Sequence, residues 1–126
     1  MGVMAVDQTF DVTIHLVLED CEDDTAEVYG TLSGSQASPE PHKWTFFQKL
    51  HDDRVTVRKA ESIPLLRSYF PALTEVPLVV RADLFDYRNG SPGRIASGSV
   101  NFTVKKGTTK ESIEGQFGSV QVRITA

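Results

Sequence analysis

Hydrophobic and polar residues alternate with a period of two along most of this chain. The alternation is clearest over residues 8–18, where the apolar side chains on one face are Phe10, Val12, Ile14, Leu16 and Leu18. Successive side chains of a β-strand point to opposite sides of its sheet, so this pattern is typical of a strand with one buried face. Residues 8–18 are therefore the first predicted strand, and Val17 is the only apolar residue on its polar face.

The same alternation predicts seven more strands, at residues 27–33, 43–50, 54–58, 77–86, 97–104, 112–114 and 119–125. Turn-forming residues separate them, at 33–42, 51–53, 87–93 and 105–109. About eight short strands at this spacing predict an all-β fold, an antiparallel β-sandwich. Periodicity is lost between residues 59 and 76, which we interpret as an irregular connection with a short helical turn around Leu65.

Two features within the predicted strands call for local irregularity. Gly30 and Gly98 predict bulges or places where two backbones approach closely. Adjacent Phe46 and Phe47 would point to opposite faces unless a bulge intervened. The aromatic residues of this region are expected mostly in the core, with a ligand surface as the alternative: Trp44, Phe46, Phe47, Tyr69 and Phe70.

Composition restricts the class of protein. With 126 residues, 40% of them hydrophobic and 24% charged, the chain is predicted to be one soluble domain, residues 1–126, with residues 1–7 as a flexible N-terminus. A net charge of -4 disfavours a nucleic-acid partner. Cys21 is the single cysteine, so no internal disulfide is possible, and together with the lack of a signal-peptide pattern this favours the cytoplasm. No apolar run is long enough to span a membrane.

Three segments carry a resemblance to a known family. They are Phe10–Leu32, which contains Glu-Val-Tyr-Gly, Leu84–Gly98, which contains Ser-Pro-x-x-Ile-Ala-x-Gly, and the ending Glu111–Ile124. They resemble a poorly characterised β-sandwich module of grass jasmonate-induced proteins and their relatives. The resemblance implies a defence-related module, sometimes found beside ribosome-inactivating domains, and no such catalytic domain is present in this chain.

The layout is also similar, more distantly, to the C-two domain, the conserved region two of protein kinase C, a calcium-dependent lipid-binding sandwich. This resemblance implies that two loops at one end supply carboxylates to calcium, which takes about six to eight oxygen ligands. The candidate ligands in this chain are Glu19, Asp20, Glu22, Asp23 and Asp24 in the first loop and Asp86 in the second. Arg88 occupies the position of a second Asp, and Arg94 follows, so positive charge opposes a divalent cation there.

The acidic stretch 19–24 has other interpretations. It could be a solvated loop between strands, a contact surface for a basic partner, or a cluster that Arg88 and Arg94 neutralise internally.

No catalytic motif is apparent in the sequence. The three histidines, His15, His42 and His51, are too widely spaced to suggest a zinc site, and Cys21 lies among carboxylates that disfavour its thiolate. Gly90–Gly93 lacks the lysine and the following helix of a phosphate-binding loop. We therefore expect a protein that is not an enzyme.

The sequence leaves three hypotheses for function. The first is a binding or interaction module, calcium-dependent in one version, that recognises a membrane surface, a glycan or a protein through loops at one end of the sandwich. The second is a structural module that self-assembles into homo-oligomers through exposed strand edges. The third is an accessory domain of a defence or toxin protein.

Overall fold

The computed structural model describes residues 9–37, 41–88 and 91–126, apart from the side chains of residues 88, 91 and 92. The predicted flexible N-terminus, residues 1–7, lies outside this part of the chain. The described residues form a 3-10 turn at His51–Asp53 and nine strands: β1 (Thr9–Cys21), β2 (Thr25–Gln36), β3 (His42–Lys49), β4 (Val55–Arg58), β5 (Tyr69–Leu73), β6 (Leu78–Arg88), β7 (Ser91–Phe102), β8 (Thr108–Gly115) and β9 (Gly118–Thr125). The all-β prediction is confirmed.

The strands form two antiparallel sheets. The first has the order β5-β1-β9-β8, and the second has the order β3-β2-β6-β7. Strand β4 also pairs with β2, over Thr25–Val28, whereas β3 pairs with Gly30–Gln36, so β3 and β4 share one edge of the second sheet. Among the described residues, no helix has the length and apolar character needed to cross a bilayer.

One hydrophobic core lies between the sheets, built from the alternate residues that the sequence pattern marked. On β1, Ile14, Leu16 and Leu18 are fully buried, and they pack in the same core as Val28 and Leu84 from the second sheet. Burial of each large aliphatic side chain contributes about 1.5–3 kcal/mol. The apolar faces predicted from alternation are therefore the faces that hold the sheets together.

A bulge in β3 buries two adjacent phenylalanines. The register with β2 passes from Leu32 opposite Phe47 to Ser33 opposite Thr45, which leaves Phe46 as an extra residue. Because the extra residue resets the alternation, both phenylalanines face the core and are at most 1% exposed. The sequence predicted that Phe46 and Phe47 could share a face only if a bulge intervened, and the structure has this bulge.

Residues 59–68 form an irregular segment that runs beside β1. Four backbone hydrogen bonds of 2.7 to 3.0 Å join this segment to β1. The prediction of a helical turn around Leu65 is wrong, since these backbone groups bond to a neighbouring strand instead of to one another. The short strand β5 at Tyr69–Leu73 follows the segment and was not predicted, because Pro71 and the lost periodicity conceal it.

Two predicted turns are shorter in the structure. The turn at 87–93 is wrong over most of its length, since β6 and β7 remain paired as far as Arg88 and Ser91. The loop at 33–42 is likewise shortened by the extension of β2 to Gln36 and the start of β3 at His42.

Candidate functional site

The acidic residues 19–24 do not form one loop. Strand β1 continues to Cys21 because Asp20 and Cys21 pair with Ser119 and Gly118 on β9, and Glu19 is the extra residue of a bulge. Only Glu22, Asp23 and Asp24 lie in the turn between β1 and β2. The predicted acidic loop is therefore a bulged strand end followed by a short exposed turn.

Asp86 lies inside strand β6, where the second calcium loop was expected. Its side chain is 2% exposed, and its Oδ1 atom accepts a hydrogen bond of 2.8 Å from the backbone N–H of Glu27. The structure thus gives this carboxylate a role in joining β6 to the start of β2. A buried acceptor with this role is costly to remove.

The described residues contain no group of three or more His, Cys, Asp or Glu side chains placed to hold a metal ion. The ammonium of Lys59 lies 3.5 Å from Oδ1 of Asp20 and already supplies positive charge at the end of β1. The side chain of Arg88 lies outside the described part of the chain. Calcium coordination by Glu19, Asp20, Glu22, Asp23, Asp24 and Asp86 stays a prediction.

Cys21 is a buried thiol at the end of β1. Its Sγ donates a hydrogen bond of 2.9 Å to the backbone carbonyl of Asp23. Burial raises the pKa of the thiol, and the carboxylates of Asp86 and Asp20 add to this effect, whereas the positive charge of Lys59 opposes it. The prediction that the thiolate is disfavoured is confirmed. Burial contributes more to the raised pKa of Cys21 than the neighbouring carboxylates do.

A cluster of aromatic and arginine side chains covers part of the outer face of the second sheet. We call it the aromatic patch and define it by Tyr29, His51, Arg54, Phe85, Tyr87 and Arg94. Its location follows from alternation: Val28, Leu84 and Asp86 are buried on the inner face, so Tyr29, Phe85 and Tyr87 point outward. Tyr29 and Phe85 are directly opposite each other across β2 and β6.

The aromatic rings of the patch are in mutual contact. Tyr29 and Phe85 stack, with ring centres 5.2 Å apart and planes at 22°. Tyr87 meets Tyr29 edge-on at 6.4 Å, and His51 lies 5.8 Å from Tyr87. The three rings on β2 and β6 are half-buried, so they keep exposed area while being held in fixed positions.

Two guanidiniums lie over these rings. The Cζ atom of Arg54 is 4.5 Å from the centre of the Tyr87 ring, and that of Arg94 is 5.6 Å from the centre of Phe85. These are cation–π distances. Arg54 is also held by a 2.7 Å hydrogen bond from Nη1 to the carbonyl of His51, and its Nε lies 3.9 Å from Glu27.

The phenol of Tyr29 stays protonated at neutral pH. Burial, and to a smaller extent the neighbouring Tyr87, raise the pKa of Tyr29 above its usual value of 10.0. The patch therefore presents the neutral phenol of Tyr29 beside two guanidiniums.

This patch was not predicted from the sequence. Of the aromatic residues considered there, Phe46, Phe47 and Phe70 are buried in the core and Trp44 is half-buried, while Tyr69 is 58% exposed. The available clue was the presence of aromatics on the polar faces of strands, at Tyr29, Phe85 and Tyr87. Alternation places each on an outer face, but only sheet order shows that they meet.

The fold and the patch define an all-β sandwich domain with an aromatic and cationic surface on one sheet. Comparisons with protein-family models, with curated proteins and with solved structures give no significant match.

Proposed function

We propose that this protein is a non-enzymatic binding domain and that the aromatic patch is its recognition surface. The observation that carries the proposal is the grouping of three half-buried aromatic rings and two ring-stacked arginines on the outer face of a sheet. Tyrosine and arginine are enriched in protein interfaces and among the residues that dominate binding energy. Side chains already fixed by stacking also lose less conformational entropy on binding.

Cross-strand aromatic pairs also stabilise sheets by about 0.2–1 kcal/mol each. That contribution explains why neighbouring rings on β2 and β6 are tolerated on an outer face. It does not account for Arg94, an exposed residue whose guanidinium covers Phe85 from β7. Arginine at this position adds a charged donor group to the cluster, which supports a role in recognition.

The patch lies near one end of the sandwich. Tyr87 is the second-last residue of β6, and Glu27, whose backbone bonds to Asp86, is the third residue of β2. The turn between β1 and β2 is at the same end. A ligand on the patch would therefore lie beside the loops that the sequence hypothesis assigned to recognition, with the sheet face as the main contact.

The proposal is tested by screening the domain against a glycan array, a random peptide library and anionic phospholipid vesicles, each with calcium and with chelator. The test variant is Tyr87→Ser/Arg94→Ser, and the control is Thr31→Ser/Thr45→Ser, on the same outer face outside the patch. We expect a bound ligand to lose about thirtyfold or more in affinity with the test variant, since residues that dominate binding contribute about 2 kcal/mol or more.

Thermal unfolding of both variants checks that the fold is retained. Binding that is equal in wild type, test variant and control would contradict the proposal. Binding by the wild type that requires calcium would support the calcium-dependent version of the binding hypothesis.

A further inference from the structure

We infer that the ligand of the aromatic patch is an acidic segment of a partner protein, with carboxylates beside an apolar side chain. This inference rests on the proposed function and names the class of partner. It follows from three properties of the patch: which ring faces are covered, where the guanidinium donors remain, and how charge is distributed around them.

The ring faces of the patch are largely occupied. Strand β6 lies between β2 and β7, so Tyr29 stacks on Phe85 from one side and the Arg94 guanidinium covers it from the other. Arg54 covers a face of Tyr87. Stacking of a flat nucleobase or of a sugar ring needs an open aromatic face. With both faces of Phe85 and one face of Tyr87 covered, the patch has little open ring face for such stacking, and its ring edges suit contact with an aliphatic or aromatic side chain.

The guanidiniums retain hydrogen-bond donors. Each guanidinium has five N–H groups, and contact with a ring face consumes none of them. Arg94 forms no ion pair with another residue in the described part of the chain. Arg54 donates one N–H to the carbonyl of His51 at 2.7 Å and lies 3.9 Å from Glu27, so its guanidinium keeps further donors. A carboxylate accepts two parallel N–H bonds from such a fork, which makes Asp and Glu side chains well-matched ligands.

The two guanidiniums of the patch attract a partner mainly at short range. The chain has a net charge of -4, which repels an acidic partner at long range. Charges separated by more than about 8 Å are largely screened at physiological salt, however. At contact, Glu27 beside Arg54 and Asp52 beside His51 offset part of the positive charge, which leaves Arg94 as the main cation for a carboxylate of the partner. Two arginines are few for a membrane surface or a nucleic acid, both of which reward larger clusters of basic residues. An acidic protein segment needs only one or two such contacts.

The test is selection of phage-displayed random 12-residue peptides on the wild-type domain, with counter-selection on Arg54→Gln/Arg94→Gln. Selected peptides are then synthesised with a fluorescent label and titrated by anisotropy. The control is Arg58→Gln/Arg81→Gln, which removes the same charge at two exposed arginines outside the patch. Unfolding curves confirm that every variant is folded.

We expect the selected peptides to be enriched in Asp and Glu next to an aromatic or aliphatic residue. Their affinity should fall at least about tenfold with the patch variant, since a hydrogen bond to a charged group contributes about 1.5–3 kcal/mol, and remain unchanged with the control. Affinity should also fall as salt is raised.

Three results would overturn the inference. Failure to recover any peptide that prefers wild type would do so, as would enrichment of neutral peptides. Arginine-dependent binding of anionic vesicles in place of peptides would also overturn it, while leaving the patch as the recognition surface. If no ligand of any class depended on Tyr87 or on the two arginines, the proposed function would fail as well.

Discussion

At the scale of single residues, two glycines within strands adopt backbone conformations that other residues avoid. Gly30 and Gly98 have φ angles of +118° and +139°. A Cβ at position 30 would also collide with the carbonyl oxygen of Asp83, whereas a Cβ at position 98 would meet nothing within 4 Å. Both were identified in the sequence as places of bulging or close approach, and the structure separates the two cases: only Gly30 is needed for space.

We predict that Gly30→Ala destabilises the protein more than Gly98→Ala. Backbone strain alone should cost about 1–3 kcal/mol at either position. Overlap with Asp83 should add a further ~1–3 kcal/mol at position 30. Urea unfolding of both variants measures the difference, and equal free energies of unfolding would show that the close approach to β6 relaxes at little cost.

The thiol of Cys21 provides a pH-dependent contribution to stability. Burial raises its pKa above the usual 9.0, so the folded protein holds the proton to higher pH than the unfolded chain. The stabilising contribution is complete below pH 9.0 and is lost as pH rises through the folded-state pKa. We therefore predict that the stability difference between wild type and Cys21→Ala shrinks between about pH 7 and about pH 10.

Chemical denaturation at several pH values measures this difference. Other groups that titrate at alkaline pH, such as Tyr29, are present in both proteins and cancel. A difference that stays constant with pH would mean that the thiol and the thiolate are tolerated equally in the fold.

At the scale of elements, Gln36 fixes the connection between β5 and β6. This side chain is 1% exposed at the end of β2. Its Nε2 donates to the carbonyls of Leu73 at 2.9 Å and Val76 at 3.0 Å, and its Oε1 accepts from the N–H of Leu73 at 3.0 Å. One amide thus ties the first sheet to the second across their shared end.

We predict that Gln36→Leu lowers the free energy of unfolding by at least about 1–3 kcal/mol, because the N–H of Leu73 loses its partner. Gln48→Leu, at an exposed position of β3, is the control and should change stability by no more than about 0.5 kcal/mol. Hydrogen exchange of the Leu73 amide provides a local readout. Unchanged protection of that amide in Gln36→Leu would contradict the role assigned to the glutamine.

At the scale of the whole molecule, the last strand of the first sheet carries exposed charged side chains. Strand β8 is the last strand of the first sheet, and Lys110, Glu111 and Glu114 are exposed along it. Charged side chains on an edge oppose pairing with another sheet edge. This arrangement bears on the alternative hypothesis that the protein self-assembles through its strand edges.

We predict that Lys110→Thr/Glu114→Thr, which leaves net charge unchanged, makes the molar mass rise with protein concentration in light scattering. Wild type should keep one mass over the same range, as should the control Glu75→Thr/Lys105→Thr, altered outside the strands. A wild-type mass that grows with concentration would instead support the self-assembly hypothesis.

The fold could be predicted to a large extent from the sequence, because a period of two is a local property of each strand. The buried face of β1, the strand character of β6 and the need for a bulge at Phe46 and Phe47 all follow from side-chain size and alternation. Strand ends were predicted less well. Alternation cannot show where pairing continues, as in the extension of β6 to Arg88.

The candidate site depended on the tertiary structure. The resemblance to the C-two domain places Asp86 in a calcium-binding loop, but pairing of β6 with β2 buries it against the N–H of Glu27. Tyr29 and Phe85 are far apart in the chain and meet only because β2 and β6 are neighbours. By itself the sequence determined which face of each predicted strand is buried. Only the folded sheets decided which residues share a surface, since strand order and register arise from long-range pairing that no local pattern encodes.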